Sequence, residues 1–155
     1  MITKKQWWSA GIFFSFVLLL DRVTKIWALL ACQSEREITS FLTTKCMLNR
    51  GISWGLFHSE NLYIFVLVSL VIALFIGIFV WWVYRYIHTF GSLIGVSLVL
   101  AGAISNLFDR VWYSGVIDFI VVSYGSWTFP VFNIADVAIC CGVFILFLTS
   151  AGDEV

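Results

Sequence analysis

Asn106 and Asp109 stand three residues apart, and Asn133 and Asp136 repeat that spacing. Asp21 and Lys25 are four apart, which puts them on one face of a helix. Arg110 follows Asp109 directly, and Asp118 is enclosed by Val116, Ile117, Phe119 and Ile120. Each Asn can donate amide hydrogens toward whatever its neighbouring Asp binds. Asp109, beside a permanent cation, suits a standing structural anion. Asp118 has apolar neighbours on both sides, and desolvation there favours the protonated acid. Asp136 also has apolar neighbours, Ala135 and Val137. Two carboxyls brought close in such surroundings cannot both ionise and share one proton. That is the arrangement of an aspartic protease, in which one group takes a proton from water and the other polarises a carbonyl. On spacing alone Asp109 with Asp136 competes with Asp118 with Asp136, because the two N-x-x-D segments match.

The elements that must position these groups cross a membrane. Of the 155 residues, 61% are hydrophobic and 12% charged, with a mean hydropathy of +1.00. Soluble domains average about half apolar and a quarter charged residues, so a water-soluble globule and a disordered chain are both disfavoured. Zero net charge gives no basic face for nucleic acid. A spanning helix needs roughly 20 apolar residues. Four stretches meet this, giving expected helices at 7–31, 62–84, 90–108 and 131–150 within one integral membrane domain, 1–155. Continuous apolar runs without period-two alternation favour helices over a barrel. The fold expected is therefore an all-α membrane protein. Outer loops at 32–61 and 109–130 complete it, the first with Gly51, Gly55 and β-branched residues that suggest a small surface sheet. Lys4, Lys5, Arg85 and His88 fall on one side, which marks that side and both termini as cytoplasmic. Trp7, Trp8, Trp81, Trp82, Trp112 and Trp127 fit interface belts.

Depth ties the polar residues together. At about 1.5 Å per residue, Asp21 sits roughly 21 Å above Trp7, about 9 Å short of the outer face. With Pro130 at the first position of helix four, Asp136 lies about 9 Å below that face. Asn106, Asp109 and Arg110 reach the same level at the end of helix three. Ionisable groups inside spans are expensive and mark functional sites. For Asp21 and Lys25 alone, a self-neutralising ion pair is the simpler reading. Lys4-Lys5 followed by an apolar run and Leu29-Leu30-Ala31-Cys32 imitates a lipoprotein signal peptide. Asp21, Arg22 and Lys25 inside that run fit a permanent helix instead.

Five ordered blocks carry a family resemblance. They are Asp21-Arg22-Val23-Thr24-Lys25; Asn49-Arg50-Gly51-Ile52-Ser53-Trp54-Gly55; Gly102 to Arg110; Val116-Ile117-Asp118-Phe119; and Phe132-Asn133-Ile134-Ala135-Asp136. Together they resemble the lipoprotein signal peptidase, or signal peptidase II, family across nearly the whole chain. The resemblance implies a catalytic dyad of Asp118 and Asp136. It implies that Asn49, Gly51, Asn106, Asp109, Arg110 and Asn133 line or support the site, with Asp21 and Lys25 as a supporting polar pair. It implies a multi-pass enzyme of the bacterial inner membrane, active near the outer face. Its substrate would be a prolipoprotein, cut before a diacylglyceryl-modified cysteine. Trp54 and Phe57 would clamp substrate from above. Ser105 and Ser53 depart from the family's common Gly and Ala, and both are small.

The chemistry calls for no metal or organic cofactor. His58 and His88 are far apart in sequence. The partners expected are the lipid-modified precursor and membrane lipids, and a monomer suffices. Two rivals belong to other classes. A four-helix thiol–disulfide oxidoreductase would want a close Cys-x-x-Cys, whereas Cys140-Cys141 are adjacent and read as small apolar residues. Cys32 and Cys46 stay open as a structural disulfide. A proton-coupled transporter would need polar groups in the inner half, where between Leu62 and Ser105 only Arg85 and His88 ionise besides the tyrosines.

Overall fold

The computed structural model describes residues 3–32, 34–51, 59–86 and 92–151. Ser53, Trp54, Phe57, His58 and His88 lie outside the described residues. The elements are α1 (Lys4–Ala31), β1 (Arg36–Glu37), β2 (Leu42–Asn49), α2 (Leu62–Tyr86), α3 (Leu93–Tyr113), β3 (Val116–Tyr124), β4 (Trp127–Thr128) and α4 (Ile134–Ala151). The protein is mostly helical, with a small antiparallel sheet.

Side-chain caps start each helix. Thr3 and Gln6 form a reciprocal capping box that begins α1. Asn61 Oδ1 accepts from the Tyr63 N–H at the start of α2, and Ser92 Oγ from the Gly95 N–H at the start of α3. Asn133 Oδ1 accepts from the Asp136 N–H at 2.9 Å, while Asp136 Oδ2 accepts from the Asn133 N–H at 3.1 Å. The second N-x-x-D segment is thus itself a capping box for α4.

Two expected boundaries move for this reason. Pro130 is not the first residue of α4. Phe132 is still extended, bridging to Ile120 of β3, and those strand-type bonds override the local preference for Pro at a helix start. α3 does not stop at Phe108 but continues to Tyr113, ending at Ser114 in the left-handed region (φ 57°). Its polar residues Asn106, Asp109 and Arg110 are buried among protein partners, so they give the helix no reason to end.

α3 is the central helix, packed on α4 and α1, with α2 leaning mainly on α3. The α3–α4 contact is close because Gly102 faces α4. A Cβ there would collide with the Ala135 carbonyl oxygen and stand 2.8 Å from Ile139 Cγ1. α2 exposes Leu67, Leu70, Leu74, Phe75 and Trp81 around its surface. An apolar surface of that extent is stable in lipid rather than water. α2 and α3 are long and apolar enough to cross a membrane by length and composition, and the apolar stretch of α4, Ile134–Thr149, is shorter.

The two outer segments join in one sheet, ordered β1-β2-β3-β4. Asn49 pairs with Val116, and Met47 with Asp118. An irregularity between Thr44 and Met47 interrupts that register. Gly125, at φ 59°, turns β3 into β4. Phe119 of β3 packs on Ala28 and Cys32 at the end of α1, with Cys46, Ile120 and Ile134 around them. The sheet thereby sits on the end of the helix bundle.

Candidate active site

Asp118 comes from β3 and Asp136 from the first turn of α4, and both face one cavity of about 520 Å³. Its wall includes Asn49, Asn106, Arg110 and, toward the helices, Ile139, Cys140 and Cys141. Asn133 links the two carboxyls. Its side-chain amide donates to Asp118 Oδ1 at 2.7 Å, and its backbone N–H donates to Asp136 Oδ2 at 3.1 Å. The other oxygen of Asp118 accepts from Asn49 Nδ2 at 3.0 Å, and the other oxygen of Asp136 from Asn106 Nδ2 at 2.9 Å. Burial pushes the Asp118 carboxyl up to about 7, and the negative charge of Asp136 adds to this. The amides of Asn49 and Asn133 act in the opposite direction. These groups can hold one proton between two carboxyls at neutral pH.

Behind the cavity lies a neutral cluster of two cations and two anions. Lys25 Nζ reaches Asp21 Oδ2 at 2.8 Å, Asp109 Oδ2 at 2.7 Å and Asn106 Oδ1 at 2.7 Å. Arg22 bonds Asp109 at 2.6 Å and Asp21 at 3.1 Å. Lys25, Asp21 and Asp109 are fully buried. A buried charge needs such complete pairing. Asp21 Oδ1 accepts from the Ala135 N–H in the first turn of α4, and Asp109 Oδ2 from the Ile117 N–H of β3. The cluster therefore ties the two strands of chain that carry Asp118 and Asp136 to α1 and α3.

Sequence adjacency to Arg110 does not give Asp109 its counter-charge. Arg110 is not its partner: it turns the other way, donating to the Gly51 carbonyl at 2.8 Å and the Asn106 carbonyl at 3.3 Å. Adjacent residues on a helix point about 100° apart, so sequence neighbours do not share partners. The true partners are Arg22 and Lys25. Arg22, left without a role from sequence, also stacks over the Phe108 ring at 5.2 Å. Ser105, read only as a small residue, donates to Asp21 Oδ2 at 2.6 Å and accepts from Arg22 Nε at 3.1 Å. Gly51 contributes through its backbone, its N–H bonding Asn49 Oδ1 at 2.9 Å. Trp54 lies outside the described residues. Arg110 Nε is buried and has no hydrogen-bond partner among the described residues.

Residues 13–151 match the family model described as signal peptidase (SPase) II. The chain is 38% identical to the lipoprotein signal peptidase of Clostridium novyi (strain NT), over 84% of this chain and 89% of that one. It is 37% identical to that of Wigglesworthia glossinidia brevipalpis, over 84% and 86%. It is 34% identical to that of Coxiella burnetii (strain RSA 493 / Nine Mile phase I), over 94% and 93%. Two solved structures, each described as a bacterial membrane enzyme, share the fold. One has a TM-score of 0.72 at 27% identity, covering 94% of this chain and 88% of the other. The second has 0.70 at 25% identity, covering 90% of each.

Proposed function

The chain belongs to the signal peptidase II family of membrane proteases, and we propose that Asp118 and Asp136 are its catalytic dyad. The observation that carries this is Asn133 bonding both carboxyls on the wall of one cavity. Water bound between the carboxyls loses a proton to the ionised one. The protonated one donates to the scissile carbonyl oxygen as the water oxygen adds to its carbon. As the tetrahedral intermediate collapses, the carboxyl that took the water proton gives it to the leaving amine, and the hydroxyl formed from the carbonyl returns its proton to the other carboxylate.

The substrate is a prolipoprotein carrying diacylglycerol on a cysteine, and the bond cut is the one before that cysteine. Four helices span the bilayer with both termini cytoplasmic, as one domain. The dyad stands near the outer face of a bacterial inner membrane, where the lipidated cysteine is held by its tails. The apolar stretch of cavity toward Ile139 receives apolar substrate, and the tails hold the scissile bond in place. Such positioning is a large part of catalysis. Asn49, Gly51, Asn106 and Arg110 orient the substrate backbone, the free Arg110 Nε–H donating to a substrate carbonyl. Asn133 holds the dyad, while Asp21, Lys25 and Asp109 fix its supports. The enzyme works as a monomer among membrane lipids.

The test is purified protein in detergent with a precursor, with and without the diacylglyceryl group. The modified precursor is cleaved to a product beginning at the lipidated cysteine, and the unmodified one is not. Equal cleavage of both, or cleavage elsewhere, contradicts this reading. A thiol oxidoreductase would lose all activity on replacement of the four cysteines by serine, whereas this protease still cleaves, at a reduced rate, because no cysteine takes part in the reaction.

A further inference from the structure

Cys32 ends α1, and Cys46 lies in β2 where the pairing with β3 is irregular, between Thr44 and Met47. A bulge frees backbone groups from the ladder and re-aims the residue that carries them. Here the Cys46 N–H donates to the Cys32 carbonyl at 2.9 Å. Both cysteines are free thiols in this structure, and that bond sets their backbones side by side; a bridge needs their Cα atoms within the roughly 4.4–6.8 Å that disulfides occupy. Both side chains pack in one apolar cluster with Ala28, Phe119, Ile120 and Ile134. The neighbouring chain is drawn together as well: Arg36 of β1 pairs with Thr44, and Lys45 bonds Glu35 at 3.2 Å.

We propose that Cys32 and Cys46 form a disulfide that fastens β2 to the end of α1. The proposal rests on the orientation given above, which puts this end of the bundle on the oxidising side of the membrane. One S–S bond forms and both S–H bonds break. The two electrons and two protons pass to the disulfide of a thiol–disulfide exchange protein, which becomes a dithiol. The bridge stands three residues before Asn49, whose amide holds Asp118. It fixes the strand that carries this donor. Burial pushes the Cys46 thiol up, with Cys32 and Asp118 adding to the shift. A reductant that attacks the Cys32 sulfur must expel that thiolate, a poor leaving group. Cys140 and Cys141 line the cavity instead, and neighbours on one helix do not meet the geometry of a bridge.

The experiment counts thiols in the full chain. Cells are quenched in acid, and the protein is tagged with a maleimide in denaturing detergent, before and after reduction. The expected result is two tags before reduction and four after, with peptide mapping placing the missing pair on Cys32 and Cys46. If all four are tagged from cells, but folded purified protein closes the same pair in oxidised glutathione, the bridge stands and the outer-face orientation is what fails. If neither preparation closes that pair, the proposal is overturned. Cleavage of lipoprotein precursor by the same purified protein separates this failure from failure of the peptidase reading.

Discussion

Lys25 Nζ lies 2.7 Å from Asn106 Oδ1, both side chains buried. That bond joins the charge cluster of α1 and α3 to the cavity, because the same Asn106 donates to Asp136. Lys25 also neutralises Asp21 and Asp109. Removing one partner of a buried ion network leaves charge uncompensated, at about 3–5 kcal/mol. Lys25→Met is expected to lower thermal stability in detergent by an amount of that order. An unchanged melting temperature would show that the cluster does not hold the helices.

Asn133 has two separable tasks: its Oδ1 caps α4, and its amide donates to Asp118 and to Asn106. Serine caps helices about as well as asparagine but cannot supply that amide. Asn133→Ser is therefore expected to keep the α4 cap and fold, with some loss of stability from the buried space it opens, and to lose most of its cleavage. A hydrogen bond to a charged group contributes about 1.5–3 kcal/mol, so the loss is roughly 10- to 100-fold. Full cleavage by a stable Asn133→Ser protein would remove Asn133 from the site.

Asp118 titrates at about 7 in the folded protein, against the ordinary 3.8. A carboxyl raised in this way stabilises the fold fully below about pH 4, and that contribution is lost as pH rises toward 7. Stability is expected to fall across that window and then level, and Asp118→Asn is expected to flatten the fall. Cleavage is expected to decline above about pH 7 as the shared proton leaves. Thermal melts and rates at matched pH values check both, and an identical slope in Asp118→Asn would contradict the assignment.

The groups legible in the sequence were those whose geometry is local. The i, i+4 spacing of Asp21 and Lys25 gives their ion pair directly, and the apolar runs give four helices to within a few residues at most ends. The convergence of α1, α3 and α4 on one polar layer also followed from helix rise. What was not legible depended on how helices approach one another. Arg22 pairs with Asp109 only because α1 and α3 pack closely at that level. Ser105 bonds Asp21 for the same reason, so a residue legible only as small belongs to the charge network. Pro130 misled because a strand bridge formed by Phe132 lies between it and the helix. The capping role of Asn133 and Asp136 could have been found, since a reciprocal cap has that three-residue spacing.

The central claim is that Asp118 and Asp136 act as one proton-sharing pair. The most direct measurement is the single-turnover rate on a diacylglyceryl-modified precursor, taken for wild type, Asp118→Asn, Asp136→Asn and the double variant at equal folded concentration. Each single variant is expected to lose cleavage about as completely as the double one, since groups acting as a unit are not additive. Substantial cleavage by either folded single variant would contradict it.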